Sequence, residues 1–419
     1  MDNQNNLFVI PGGYKKWTMG LMIVGLLTLI LGFIFLNPLS GSHGENLNST
    51  RFWAVLLQNS IFWLLLVNTS MFFICICTLA MAGWQVALRR VPEAVSSVLP
   101  ILSVITFIII LSIVFGNRYD IYPWLDRAHV HQDKVLNGKS GFLSPGFYTI
   151  ASILVIGLWW FIGRKLRQLS IDSDRNGPMD YQTGKSWLGK NIFWASFFIV
   201  LFGLSVGSTM PWLWLMSIDA HWFSTMYSWY TFASTFVSGI ALFTLFVIYL
   251  KNRGELEYVT QEHLHDLGKF MSAFSIFWVY LWFSQYMLIW YSNQPEETKY
   301  FIERIGTAEH AGPYKGTFFL NLVINFVCPI LILMKKSPKR NYTVMTFMCV
   351  LLIFGHWLDF YQMVMPGTVK QHPHMSWFEF VIPLGFIGII MWGAGRYLSR
   401  VPLTPKNHPF LKESIIHHT

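Results

Sequence analysis

Ten long runs of apolar residues, separated by short polar segments, dominate the pattern of the chain. Each run is close to the roughly 20 residues that a helix needs to cross the hydrocarbon core of a bilayer. The runs therefore predict an all-α polytopic membrane protein with about ten transmembrane helices, whose approximate cores are 18–37, 56–84, 97–116, 146–164, 192–216, 226–250, 270–292, 316–335, 343–365 and 377–397.

The composition agrees with a chain that lies mostly in lipid. Hydrophobic residues make up 53% of the 419 residues and charged residues only 12%, against about 25% charged in a typical soluble domain. The longest polar connections are shorter than about 30 residues, which is less than a soluble domain needs. The chain has no P-loop, no strand-linked G-x-G-x-x-G and no H-E-x-x-H motif. The sequence thus argues against an ATP-driven pump.

The net charge of +9 indicates the orientation of the chain rather than a nucleic-acid partner, because the charges lie in short loops between apolar runs. Twenty-one of the 30 Lys and Arg residues fall on the side that holds the N-terminus. Positive residues are retained preferentially in the cytoplasm. Since the number of spans is even, both termini are predicted to be cytoplasmic.

The order of the spans suggests an internal repeat. Spans two and three resemble spans six and seven, and the outer ends of spans five and nine each carry one Asp, one His and one Pro. Parallel repeats of this kind are a known membrane architecture. We therefore predict two parallel four-helix bundles and two peripheral helices, with 1–52 as the N-terminal tail, first helix and outer loop, 53–218 and 219–366 as the bundles, and 367–419 as the last helix and cytoplasmic tail.

The ninth span carries two ionisable residues, His356 and Asp359, in an otherwise apolar run. An ionisable side chain in hydrocarbon costs at least about 2.5–3.5 kcal/mol, so such residues face protein, water or each other. Residues three apart share a helix face. A buried His–Asp pair can exchange protons with a ligand near neutral pH. The other interpretation is a polar contact between helices that fixes the bundle.

Other polar residues extend this candidate site. Glu379, at the start of span ten, is the only further acid within a predicted span, so the inner half of the membrane is predicted to hold no buried acid. Asp219 and His221 follow span five on the outer side. Amide side chains within the spans offer either a proton path or packing contacts between helices; they are Gln285, Asn321, Asn325 and Gln362.

The histidines and cysteines argue against a resident metal or haem. A bilayer-embedded b-type haem needs axial ligands, usually two His on facing helices, whereas only His356 lies well inside a predicted span. The four cysteines lie in apolar runs and form no C-x-x-C motif. The loop pair His372 and His374 is too small a ligand set for a metal site. We predict that this chain ligates no metal and holds no cofactor covalently.

Three segments resemble one family of respiratory membrane proteins. They read His265-Asp-Leu-Gly-Lys269, Phe283-Ser-Gln-Tyr-Met-Leu-Ile-Trp-Tyr-Ser-Asn-Gln-Pro-Glu-Glu-Thr298 and Gly355-His-Trp-Leu-Asp-Phe-Tyr361. Together with the ten spans and a long fourth loop on the cytoplasmic side, they are similar to the quinol:cytochrome c oxidoreductase membrane subunits of bacterial alternative complex III. These are relatives of the NrfD-like polysulfide-reductase anchors. The resemblance covers spans two to ten and fits the second, shorter of the two large membrane subunits.

This resemblance implies a subunit of the bacterial inner membrane that holds no haem or cluster of its own. It implies as partners a sister NrfD-like membrane subunit, a periplasmic iron–sulfur subunit and multihaem cytochrome c subunits, with a terminal oxidase as an optional neighbour. The substrate of such a complex is a quinol, either menaquinol or ubiquinol. His356, Asp359 and Tyr361 carry over as the matching motif, in quinol contact or in a proton path.

Three functions follow as alternatives. The first is a redox-complex subunit that contributes to quinol binding, proton transfer or both; because the chain holds no electron acceptor, it is not a complete enzyme. The second is a structural anchor of that complex, in which His356 and Asp359 only pack. The third is a proton-coupled secondary transporter, although no span is clearly broken by paired Gly and Pro at the midplane.

Overall fold

A computed structural model describes residues 7–40, 46–175 and 177–418, and within this part of the chain ten helices are long and apolar enough to cross a membrane. This result confirms the predicted all-α multi-pass architecture. We call the face at which the first helix begins the inner face and the opposite one the outer face. The ten helices are α1 (Gly12–Phe35), α2 (Leu47–Leu79), α3 (Arg90–Phe115), α4 (Pro145–Arg175), α5 (Tyr181–Trp214), α6 (Met226–Asn252), α7 (Gln261–Ser292), α8 (Lys315–Leu333), α9 (Tyr342–Thr368) and α10 (Trp377–Leu398).

Several helices continue past their predicted apolar cores. Helix α2 begins at Leu47, nine residues early, because the side chain of Asn46 accepts backbone hydrogen bonds from its first turn. Helix α4 reaches Arg175 and α5 begins at Tyr181, so the long fourth loop is mostly helix. Pro366 does not end α9, which continues for two further residues.

The helices pack as two groups of four. Helices α2 to α5 form a ring in which neighbours in sequence touch and α5 closes against α2; α6 to α9 form a second ring, closed by α9 against α6. Helix α2 also packs against α6 and α9, and so α2 and α6 are the most buried of the ten described spans. The boundaries 53–218 and 219–366 and the parallel repeat stay predictions. Residues 1–6 and 41–45 of the N-terminal region lie outside the described residues.

The peripheral helices α1 and α10 contact each other closely at a pair of glycines. A Cβ atom on Gly25 would lie 2.4 Å from the Cα atom of Gly385, which is too close for any other residue without a shift of the backbone. Small residues let membrane helices approach in this way. Helix α10 also contacts α2 and the start of α3, whereas most of α1 is exposed and apolar.

Two of the ten helices contain a wider, π-helical turn. These turns are Ser205–Thr209 in α5 and Val323–Val327 in α8, and a proline lies two residues after each, at Pro211 and Pro329. Proline lacks an amide hydrogen and its ring crowds the preceding turn. The extra residue of a π turn relieves that conflict locally, and such turns often lie near functional sites. The turn in α8 contains Asn325.

Glu93 is a buried acid near the inner face, so the prediction of no buried acid in the inner half is wrong. Its side chain accepts hydrogen bonds from Arg89 (3.1 Å), Arg90 (2.7 Å) and the Tyr397 hydroxyl (3.2 Å), and Arg90 also pairs with Asp174. The two arginines and the glutamate are almost completely buried. Helix α3 begins seven residues before its predicted core, which places this acid inside the protein. The network joins α3, α4 and α10.

The C-terminal segment, residues 401–418, packs against the short helical segment Gly83–Leu88, between α2 and α3, and against the inner end of α7. The Ser414 hydroxyl accepts a hydrogen bond from the backbone N–H of Ala87 (3.0 Å) and donates one to the backbone oxygen of Trp84. His417 bonds to Asp266 of α7 (2.6 Å). Asp266 precedes the predicted core of span seven, 270–292, and is a buried residue of the second turn of α7.

Candidate functional site

Asp359 lies where α6, α7, α8 and α9 meet, and it is fully buried. Its Oδ1 accepts hydrogen bonds from the Tyr230 hydroxyl and from Asn321 Nδ2 (2.8 Å), and its Oδ2 accepts one from Trp278 Nε1 (2.9 Å). Each donor belongs to a different helix of the second ring. Because a buried polar group needs hydrogen-bond partners, this one carboxyl group holds all four helices in register.

His356 shares the helix face of Asp359, as its spacing predicts, but the two do not form a direct hydrogen bond. Its Nδ1 lies 3.0 Å from the Ser234 hydroxyl and 4.0 Å from Asp359 Oδ2. The His356 ring also makes an edge-to-face contact with the Trp278 ring, with 5.7 Å between the ring centres. Its Nε2 is buried and has no hydrogen-bond partner among the described residues. The predicted pair is thus two neighbouring groups that share Trp278.

Asn321 and Asn325 are connected to each other and to Asp359. Asn325 Nδ2 donates to Asn321 Oδ1 (2.6 Å), while Asn321 Nδ2 donates to the carboxyl group. Asn325 packs against Gly355, where a Cβ atom would come within 2.1 Å of Asn325 Oδ1. The glycine of the Gly355–Tyr361 motif therefore leaves room for the asparagine of the π turn.

A small cavity lies beside Asp359, on the side of the outer face. Tyr230 and Asn321, two of the donors to Asp359, form part of its wall, together with Gln285 and Gln362. The cavity has about 20 Å³ of room for the centre of a water molecule. One ordered water needs about 10–15 Å³, whereas pockets for organic ligands usually enclose about 300–1,000 Å³. This cavity therefore fits water and is too small for a quinone ring.

The walls of this water-sized cavity carry unused hydrogen-bond acceptors. The Oε1 atoms of Gln285 and Gln362 are buried and have no partner within the described part of the chain. Gln362 is anchored from its other end, since its Nε2 donates to the Thr317 hydroxyl. Two predicted proton-path residues thus lie in one wall, with acceptors that an ordered water can satisfy.

Arg304 supplies the positive charge of the cavity wall and is a residue that the sequence analysis missed. It lies in the short outer helix Pro295–Ile305 and is only 2% exposed. Its guanidinium donates to the backbone oxygens of Gln362 (3.1 Å) and Tyr300 (2.7 Å), and it lies 3.4 Å from the centre of the Tyr300 ring. It forms no ion pair with any described residue. The four-residue spacing of Tyr300 and Arg304 on an amphipathic helix was the available signal.

Asp219 borders a second cavity, which lies next to the first. It has about 10 Å³ of room for a water centre, and Tyr300, Arg304 and Met363 line it as well as the first cavity. Asp219 is partly exposed on its outer side. Burial, and then the nearby charge of Asp219, raises the pKa of Glu303 on the same outer helix. The two cavities are therefore neighbours that share wall residues, and the second one borders an acid at the outer face.

His221 lies apart from these two cavities. Its ring bonds to Asp133 (2.7 Å) in the loop between α3 and α4, and half of its side chain is exposed. The hydrogen bond from His221, followed by those from backbone N–H groups, lowers the pKa of Asp133 to about 2. The structure gives His221 a contact that ties two outer segments together, and it does not bring it to Asp359.

Tyr361 and Glu379 form a separate cluster around Arg51. Glu379 Oε1 pairs with Arg51 Nη1 (2.9 Å), and Oε2 accepts from the backbone N–H of Ser376 (2.9 Å) in a capping box at the start of α10. Arg51 also donates to two backbone oxygens of the loop between α9 and α10. The Tyr361 hydroxyl donates to a third, that of Pro373 (2.8 Å). The cluster holds this loop against α2.

Replacing Glu379 with glutamine is expected to lower the free energy of unfolding by about 1–3 kcal/mol, because the amide nitrogen cannot accept the bonds that the carboxylate accepts and leaves a buried partner unsatisfied. Denaturant unfolding of the purified chain measures this loss. The exposed Glu296 on the outer helix is the matched control, since Glu296→Gln removes the same charge without a buried partner. Equal stability of the two variants would contradict a stabilising role for the cluster of Arg51, Tyr361 and Glu379.

Metal-binding groups do not cluster in the described chain, where no three His, Cys, Asp or Glu side chains converge as a metal site. The four cysteines are free. The absence of a resident metal or cofactor stays a prediction. Comparison with protein-family models finds no match for this chain, and none of the curated proteins compared with it matches. Function is therefore inferred from the chemistry of the site and from the sequence resemblance.

Proposed function

We propose that this multi-pass protein is a membrane subunit of a respiratory quinol:acceptor oxidoreductase complex, with proton transfer as its contribution. The hydrogen bonds and the cavity around Asp359 support this proposal. A buried acid is hydrogen-bonded by Tyr230 and Asn321, and the same two side chains border a cavity of water size. Buried ionisable residues in membrane proteins commonly mark proton relays.

The cavities favour proton transfer over quinol binding within this chain. Quinol oxidation releases two protons and two electrons, and the sequence predicts no resident electron acceptor in this chain. Protons can pass through a hydroxyl group and ordered water, and the two neighbouring cavities between Tyr230 and Asp219 have room for water. A space of about 20 Å³ does not hold a quinone ring. The quinol, menaquinol or ubiquinol, is then oxidised at a sister NrfD-like subunit or at its interface with this one.

The proposed setting follows the sequence resemblance and the charge pattern. The chain lies in a bacterial inner membrane with both termini in the cytoplasm, so that Asp219 is near the periplasm. Its partners are the sister membrane subunit, a periplasmic iron–sulfur subunit and multihaem cytochrome c subunits, with a terminal oxidase as an optional neighbour. Protons released by quinol oxidation would leave on the side where the electrons are accepted.

A structural anchor is the second candidate function, and the hydrogen bonding of Asp359 favours it. Three neutral donors from three helices already occupy the carboxyl group. Polar contacts of this kind hold membrane helices together without further chemistry. The two functions differ in what a conservative variant does to proton release, and stability alone does not separate them.

Native purification tests the proposed complex. The tagged chain, extracted from its own membrane in mild detergent, is expected to carry haem absorption and an iron–sulfur electron paramagnetic resonance signal. In vesicles, the preparation should release protons when a quinol and oxidised cytochrome c are supplied. A chain that purifies alone and colourless from such membranes would overturn the proposal.

Tyr230→Phe tests the proposed path more locally. This change removes the hydroxyl next to Asp359 and keeps the ring. We expect quinol-driven proton release to fall about tenfold, which is less than the roughly 100-fold or more that a positioned acid or base contributes, because the acid itself stays in place. Tyr148→Phe is the matched control, because Tyr148 of α4 is also buried and its hydroxyl bonds to Tyr122 in the loop between α3 and α4, away from Asp359. Equal rates for the two variants would count against a path through Tyr230.

A further inference from the structure

An open groove lies at the inner face, where α8 ends and α9 begins. Its volume is about 670 Å³, which is much larger than the cavities near Asp359. The groove is polar and basic, and its walls include Gln261, Lys336, Ser337, Arg340, Tyr342 and Thr343. The pattern combines positive charge with several side-chain hydrogen-bond donors in one concave surface.

Positive charge is concentrated around this groove. Lys339, in the short segment between α8 and α9, is mostly buried beside Gly268. Burial, and then the charges of Lys269 and Lys336, lowers the pKa of Lys339. Like charges held this close repel one another, so a bound anion would stabilise the cluster.

The acids nearby already have partners. Glu262 pairs with Arg340 (2.7 Å), and Asp266 contacts both Lys269 and His417. Lys336 is exposed and forms no ion pair within the described part of the chain. The protein therefore leaves a positive charge in the groove that it does not neutralise itself.

The groove also receives the positive end of a long helix. Helix α9 begins at Tyr342 after the cap residue Asn341, and its first turn borders the groove. The Asn341 side chain already accepts hydrogen bonds from the backbone N–H groups of Thr343 and Val344, so the helix contributes the positive end of its dipole, which favours negative charge nearby. The hydroxyl groups of Ser337 and Thr343 add donors at the same place.

An apolar stripe continues from the groove into the membrane. Thr343 in the wall is followed along one face of α9 by Phe347, Val350 and Phe354, at the spacing of successive helix turns. All three apolar residues are exposed, Phe347 and Val350 by more than half. A ligand with a negative headgroup and acyl chains would meet matching surfaces in both regions.

We propose that this groove binds the headgroup of an anionic phospholipid, whose acyl chains lie along the stripe of Phe347, Val350 and Phe354. The charge of the groove selects an anionic headgroup over a zwitterionic one, and basic recesses between membrane helices are suited to such lipids. The stripe distinguishes a lipid from a free phosphate ion, which would gain nothing from it. This proposal is independent of the proton-transfer function.

Lipid titration of the full-length protein in detergent, in its complex where one co-purifies, tests the site. Native mass spectrometry should show phosphatidylglycerol bound in preference to phosphatidylcholine. Lys336→Gln is expected to weaken phosphatidylglycerol binding about fivefold, the effect of roughly one charge near an anionic headgroup, and Lys336→Glu to weaken it further. Lys412→Gln, which alters an exposed lysine of the C-terminal segment, should bind as the unmodified protein does.

Two outcomes would overturn this inference. If Lys336→Glu binds phosphatidylglycerol as tightly as Lys412→Gln does, the groove is not the lipid site. If inorganic phosphate at millimolar concentration displaces the lipid completely, the groove is a site for free anions. Retention of phosphatidylglycerol under phosphate, with loss in the Lys336→Glu variant, supports the lipid. Thermal unfolding of each variant shows that it remains folded.

Discussion

Replacing Asp359 with asparagine is expected to slow quinol-driven proton release by the complex about 100-fold, the lower end of what a positioned acid or base contributes. Asparagine keeps the size of the side chain but cannot take up and give off a proton. Its amide nitrogen would also face donors that now bond to the carboxyl group, such as Trp278 Nε1. That mismatch is expected to cost about 1–3 kcal/mol of stability. Proton release is measured in vesicles and stability by denaturant unfolding.

Trp278→Phe is the matched control for this prediction. It removes one donor to the same carboxyl group and lowers stability through a buried position, but it leaves the acid in place. The proposed function therefore predicts a similar loss of unfolding free energy in both variants and a large loss of proton release only in Asp359→Asn. If proton release falls equally in the two variants, Asp359 acts only as a contact between helices, and the anchor function is the correct one.

The convergence of Asp359, Gln285, Asn321 and Gln362 could be predicted because hydrocarbon gives polar side chains few choices. A polar group within a span must face protein or water, so residues of this kind on neighbouring helices meet in the interior. The three-residue spacing predicts that His356 shares the face of Asp359. The spacing does not predict whether the two side chains form a direct hydrogen bond, since that depends on which donors of neighbouring helices occupy the carboxyl group.

Tyr230, Trp278 and Arg304 were not found from the sequence for a different reason. Aromatic residues with polar tips are common throughout this chain, in cores and at both interfaces, so the two that donate to Asp359 carry no distinguishing signal. Arg304 lies outside the apolar runs, where a charge has no cost in solvent. Only the folding of the outer helix over α7 to α9 buries it.

Span length caused the errors near the inner face. The apolar cores were predicted from the thickness of the bilayer, but a helix can continue past it as long as caps and neighbours satisfy its ends. Glu93 and Asp266 fall in such extensions, one in α3 and one in α7. Hydropathy treats these turns as loops, and therefore it cannot show that they carry buried charges.

Glu93→Gln is expected to lower the free energy of unfolding by about 3–5 kcal/mol, because removal of one partner leaves buried charge without compensation. Arg89 and Arg90 are buried almost completely and both bond to this carboxylate. Denaturant or thermal unfolding of the purified chain measures the loss. Glu257→Gln is the matched control, since Glu257 is exposed on the same face and a surface change of this kind usually stays within about 0.5 kcal/mol.

A second substitution separates loss of charge balance from loss of packing. Arg90→Met combined with Glu93→Gln removes one cation together with the anion, and buried ion pairs can often be replaced by apolar groups at little cost. We therefore expect the double variant to be more stable than Glu93→Gln alone. The double variant also removes the ion pair between Arg90 and Asp174, which contacts only Arg90 in this network. The lost ion pair therefore limits how much of the unfolding free energy the double variant regains. A double variant less stable than Glu93→Gln would mean that Arg90 acts mainly through its bonds to Ser170 of α4.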